Sequence, residues 1–180
     1  MARKLTFNEF CREAGKPAPL IHSLQTNLDL YVPGKQEGYS EAYLVFMEKV
    51  VAMRTFSVPV DEIADLFRKE KKILELLHVD TITDSPTWYL DACKREDTRS
   101  DSRLLLTGHD LGFPIAAKTI QSNLDFGDRD PELFNSREMG EDVSKVLRMY
   151  LKLLEKIKSR IRTEKPVIER ALFWSEEVFF

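Results

Sequence analysis

His22, Ser23, Gln25, Thr26 and Asn27 place five short polar side chains within six residues, directly after Pro19-Leu20-Ile21. On one exposed helix face, such a set supplies the donors and acceptors needed to read base edges in a DNA major groove. Glutamine and asparagine are the side chains that pair adenine edges. A short polar surface helix would have the same composition, so the segment alone leaves both readings open. Phosphate attraction would come from Arg3, Lys4, Arg12, Lys16, Lys35, Lys49 and Arg54, spread through the same part of the chain.

Catalytic chemistry has a weaker footing. His109-Asp110 suits acid-base work, but the run Gly-His-Asp-Leu-Gly reads more simply as a hairpin connection. The motifs GxSxG, HExxH, GxxxxGK[ST] and GxGxxG are absent. Cys11 and Cys93 lie far apart without a CxxC or Cys/His cluster, which reads as two reduced thiols rather than a disulfide scaffold or zinc ribbon. We therefore expect no metal, no cofactor and no enzymatic step.

These residues must be positioned by a chain of 180 residues, 43% hydrophobic and 32% charged, with a formal net charge of −3. Residues 1–80 hold 11 Lys/Arg against 12 Asp/Glu, so a positive face requires local clustering. No apolar run approaches the roughly 18 to 20 residues of a membrane span. The start MARKLTFNEF lacks the apolar region of a signal peptide. A cytoplasmic protein without a membrane partner is expected.

Thr6-Phe7-Asn8-Glu9 has capping-box spacing and opens a first helix, which Gly15 should end. Pro19 then sits in the first turn of a short second helix through Gln25. The alternation in LDLYV predicts a strand closed by Pro33-Gly34. Ser40 caps a third helix ending near Thr55, and a fourth begins around Pro59, with the charged run 68–72 on a solvated face. Residues 79–139 read as a small mixed insert: a short helix opened by Ser85-Pro86, then SRLLLT and KTIQSNLDFG as two strands of a hairpin. In the region 140–180, Val143, Leu147, Tyr150, Leu154, Ile157 and Ile161 step by 4, 3, 4, 3 and 4, the a/d rhythm of a coiled coil. That seam predicts a homodimer, with packing on the chain's own insert or on 167–180 as the competing explanation. Trp88, Tyr89, Phe113, Phe126, Phe134, Phe173 and Trp174 leave open either a small-molecule or protein effector site at the insert or ordinary core packing.

The segments LTFNEFCREAGKPAPLIHSLQ, LDLYVP and YSEAYLVFMEKVVAMRTFSVPVDEIADLF, followed by a terminal heptad helix, resemble the MerR family of winged-helix transcription regulators. The resemblance implies a mainly α fold: a winged helix-turn-helix domain over 1–78, the insert, and a long C-terminal dimerisation helix. It implies a dimer on double-stranded DNA, with residues 19–25 as recognition helix, Lys35 and Tyr39 flanking the wing, and Arg54 near the end of the third helix. Sequence-specific DNA binding is the function expected. The alternative is a protein-interaction or assembly module that keeps the frame without binding DNA. Its support is the acidic balance, together with His22 and Ser23 where that family has arginine and tyrosine.

Overall fold

The computed structural model describes residues 2–79, 84–94, 103–111 and 136–163, the last with part of its side chains. Among them are five α-helices and one short 3-10 helix, and no strand longer than an isolated bridge. The mainly helical expectation holds.

Helix α1 (Phe7–Ala14) forms with its capping box complete: the Glu9 amide donates to Thr6 Oγ1, and the Thr6 amide donates to Glu9 Oε2 at 2.8 Å. Gly15, at φ 67°, ends it, and Pro17 starts α2 (Ala18–Asn27). Ser40 caps α3 (Glu41–Thr55) by accepting from the Tyr43 amide. Helix α4 (Val60–Leu76) follows Pro59. A single 3-10 turn, Trp88–Leu90, stands where the Ser85-Pro86 helix was expected. Helix α5 (Ser136–Thr163) closes the described chain.

α3 is the central element. Tyr43, Leu44, Val45, Phe46, Met47, Val50 and Met53 are buried, and α1, α4 and the 3-10 turn pack around it. One hydrophobic cluster runs from Leu5 through α1 to α4, takes in Tyr89, Leu90 and 104–106, and ends on α5.

Three expectations are corrected by this packing. LDLYV forms no strand; Leu30 turns into the core, and Tyr39 pairs instead with Leu5 in an isolated antiparallel bridge. SRLLLT forms no hairpin strand either. An Arg103–Asp110 bridge closes a loop whose reversal lies at 104–108, ahead of His109. Gly108, at φ 74°, suits this reversal because an added Cβ would lie 3.1 Å from the Ala92 carbonyl oxygen. KTIQSNLDFG lies outside the described residues.

The third correction concerns the seam. Val143, Tyr150, Leu154 and Ile157 are buried and Leu147 is half-buried within the single chain, so the stripe is the inner face of α5. α4 is its main partner, and Lys156 Nζ meets Glu62 Oε1 at 2.8 Å across the pair. α4 turns Ile63, Leu66, Phe67, Ile73 and Leu74 inward, and a partner on the same chain is present at far higher effective concentration than a second copy. The side chain of Ile161 lies outside the described residues, as does 164–180.

The run 68–72 is not a solvated face throughout, since Glu70 is 0% exposed. Its Oε1 accepts from the Leu106 amide at 2.9 Å and from Tyr150 Oη at 2.8 Å; its Oε2 accepts from the Thr107 amide at 2.8 Å. The Leu105 amide donates to Tyr150 Oη at 3.1 Å. Three consecutive loop amides are thus held by one carboxylate and one phenol. Burial pushes the Glu70 carboxyl up from its usual range, while the two amides, Tyr150 and nearby Lys49 pull it down. Position 70 completes the inward series of 63, 66, 67, 73 and 74, which explains its burial.

Glu70→Ala should lower unfolding free energy by about 3 to 5 kcal/mol, because it strands buried donors and nearby Lys49. Glu70→Gln should recover little of this, since its amide sets a donor against backbone donors; urea unfolding of both variants is the measurement. A second test uses His109, whose imidazole burial lowers to about 4 from 6.5. Its contribution is complete above pH 6.5 and is lost as pH falls toward 4, at no more than about 1.4 kcal/mol per pH unit. Glu70 and Asp91, both raised by burial, act with the opposite sign. The expected result is therefore a difference: His109→Gln should flatten the acid-side loss of stability relative to the parent.

Candidate nucleic-acid interface

A helix turns about 100° per residue, so Ile21, Leu24, Gln25 and Leu28 fall on one side of α2 while His22, Ser23, Thr26 and Asn27 fall on the other. The first set is buried and the second exposed. The structure therefore brings four of the five polar residues onto one open face. His22 lies against Phe7 of α1 with ring centroids 4.5 Å apart. Thr26 Oγ1 donates to the His22 carbonyl at 2.9 Å, and Asn27 Nδ2 donates to Ser23 Oγ at 3.3 Å. These contacts orient the side chains, and each residue type retains further hydrogen-bonding capacity. α2 has no Asp, Glu, Lys or Arg.

Gln25 and Tyr39, expected at the contact surface, belong to the interior at 2% and 3% exposure. Gln25 Nε2 donates to the hydroxyls of Tyr39 and Tyr43, each at 3.2 Å. Tyr43 Oη donates to the Tyr31 carbonyl at 2.8 Å, and Tyr89 Oη accepts from the Tyr31 amide at 3.2 Å. Burial pushes all three phenols up, so they stay protonated. The network ties α2 to α3 and to the segment that follows α2. The spacing Ile21, Leu24, Gln25, Leu28 is itself a core pattern and marks Gln25 as inward-facing.

The cations are less available than their number suggests. Arg3 is paired with Glu13 at 2.7 Å. Lys49 is buried near Glu70. Arg54 is exposed, but its Nη1 donates to the Val58 carbonyl at 2.7 Å, closing the α3–α4 turn. Lys16 is half-buried in the α1–α2 turn, and Lys35 is exposed on the 28–40 loop, where Glu37 accepts from Tyr31 Oη at 2.7 Å. Lys16, Lys35 and Arg54 thus stand on three separate segments.

Among the described residues, few other arrangements offer chemistry. A cleft of about 120 Å³, lined by Arg3, Leu5, Glu13, Glu41 and Leu44, is smaller than the roughly 300 Å³ at which small-molecule sites begin. Among the described residues no group of three His, Cys, Asp or Glu could hold a metal ion, and no helix is long and apolar enough to cross a membrane. Of the aromatics considered for an effector site, Tyr89 is core and stands edge-on to Phe67, while Trp88 is half-buried. Phe113, Phe126, Phe134, Phe173 and Trp174 lie outside the described residues. Comparison with protein-family models, curated proteins and solved structures finds no match to this chain.

Gln25→Ala should act through stability, removing the donor shared by two buried hydroxyls at a cost of about 1 to 3 kcal/mol. Thermal unfolding should show the loss, whereas Asn27→Ala on the open face should stay within about 0.5 kcal/mol of the parent.

Proposed function

We propose that this protein binds duplex DNA sequence-specifically, as a regulator of MerR-like type that presents α2 to the major groove. The observation that carries the reading is the division of α2: Gln25 and three aliphatic side chains anchor it, while His22, Ser23, Thr26 and Asn27 face outward as a polar set. A groove reader needs a rigidly held helix with donors and acceptors on its free side, and this helix has both. The α1–turn–α2 unit and Lys35 on the following loop agree with the family resemblance. A dimer through the inner stripe of α5 forms no part of the proposal.

A second reading, a protein-interaction module, is favoured by one specific observation. Of the seven cations in this part of the chain, Arg3, Lys49 and Arg54 have partners within the chain, and the other four, Lys4, Arg12, Lys16 and Lys35, stand on segments other than α2.

Gel-shift titration against random and genomic duplexes at low salt separates the two. For DNA binding, His22→Ala, Ser23→Ala and Asn27→Ala should each relax base preference by about 1 to 3 kcal/mol at one position, while Lys35→Ala weakens all sequences alike. Absence of any shift at micromolar protein would sink the DNA reading and leave the interaction module.

A further inference from the structure

Because α5 faces inward along Val143, Tyr150, Leu154 and Ile157, its opposite side is turned to solvent. There Lys145, Arg148, Lys152 and Lys156 recur at steps of 3, 4 and 4, and all four are exposed. Lys156 is paired with Glu62, whereas Lys145, Arg148 and Lys152 have no ion pair among the described residues. Residues 145–156 contain these four cations and one carboxylate, Glu155, in a chain whose formal net charge is −3. Neighbouring charge on α4 is arranged differently: Asp65 holds Lys69 at 2.6 Å and Arg68 at 3.8 Å, and Lys72 meets Glu75 at 3.9 Å. Lys71, the remaining cation of α4, has no ion pair among the described residues but is half-buried with its Nζ over the rings of Phe67 and Tyr89. Among the described residues of these two helices, the exposed unpaired cations therefore stand on α5. Along the same helix the sequence adds Lys158, Arg160 and Arg162 on the C-terminal side, while Arg137, Glu138, Glu141 and Asp142 precede the row, so the positive charge is concentrated from 145 onward.

We propose that the outward face of α5 is a contact surface for the phosphate backbone of duplex nucleic acid, separate from the face of α2. At about 1.5 Å rise per residue, the row from 145 to 156 is roughly 16 Å long. A strand of duplex offers a phosphate about every 3.4 Å along its axis, so the row spans several phosphates. A bilayer fits this face poorly. An interfacial helix buries a broad apolar side in the membrane, but the apolar side of α5 is in the core, and among the described side chains of α5 Met149 is the one large hydrophobic that is exposed. The proposal rests on duplex DNA being the partner, and it places the electrostatic part of binding on a helix other than the one that reads bases.

The test is salt-dependent binding of the full chain to a random-sequence DNA duplex, with circular dichroism to verify folding. Neutralising Lys145→Gln, Arg148→Gln and Lys152→Gln together should weaken binding about tenfold or more. The log-log salt slope should become shallower by about 2.7, close to 0.9 for each lost contact. The charge-preserving set Lys145→Arg, Arg148→Lys and Lys152→Arg should bind as the parent does, which also guards against a folding artefact. Alanine changes at His22, Ser23 and Asn27 should leave the slope unchanged. Parent-like titration by the neutralised protein would overturn the α5 surface while leaving the α2 reading standing. Equal loss from Arg68→Gln with Lys72→Gln would overturn it as well, by showing a diffuse charge effect. A parent that ignores duplex but uses α5 to bind phosphatidylserine vesicles or polyglutamate would overturn both readings, as would one that binds none of these probes.

Discussion

A carboxylate enclosed in a hydrophobic interior must be surrounded by donors, and Glu70 imposes that constraint on the α4–α5 half of this protein. It lies on the inner face of α4, where a hydrophobic residue would otherwise sit, so the elements packed there have to supply hydrogen bonds. The 104–107 loop brings the amides of Leu106 and Thr107, α5 brings Tyr150, and α3 brings the charge of Lys49. The loop gains as much as the carboxylate does: its amides lie too deep for water and would be orphaned without Glu70 and Tyr150. A network of this kind is costly when partly satisfied and specific when complete, which sets the register of α5 against α4 and the depth of the loop between them.

That register has a consequence for charge. Once Tyr150 is directed at Glu70, the heptad stripe of α5 is committed to the core and the helix has one side left for solvent. Lys145, Arg148 and Lys152 occupy it. α2 is held by a second buried polar network, Gln25 with Tyr39 and Tyr43, and its outward side carries no Lys, Arg, Asp or Glu. The two helices thus differ in what they offer a partner: hydrogen-bonding shape on α2 and concentrated positive charge on α5. Groove recognition needs both, and contacts to phosphate carry affinity while contacts to base edges carry preference.

The helices themselves were legible in the sequence, together with most of their ends. The capping box at Thr6, the stop at Gly15, the cap at Ser40 and the prolines at 17 and 59 act within a few residues, so their meaning survives folding. The exposed part of the candidate interface was legible for the same reason. His22, Ser23, Thr26 and Asn27 share a face once α2 exists. Gln25 differs: its polar side chain suggests an outward place, but its spacing from Ile21 and Leu24 puts it inward, and there it is buried.

Local chemistry and periodicity thus determined where helices run and which of their faces are apolar, because those depend on caps and on repeats within one segment. Tertiary structure decided what each apolar face meets. The stripe on α5 has the rhythm of a seam between two chains, and only the presence of a matching face on α4, with Glu70 at its centre, turns it inward. The 103–110 loop was likewise undetermined by its own residues, since its amides are satisfied by α4 and α5 rather than by a neighbouring strand. Partner choice across 36 to 80 positions of sequence is a property of the assembled core, and no window along the chain contains it.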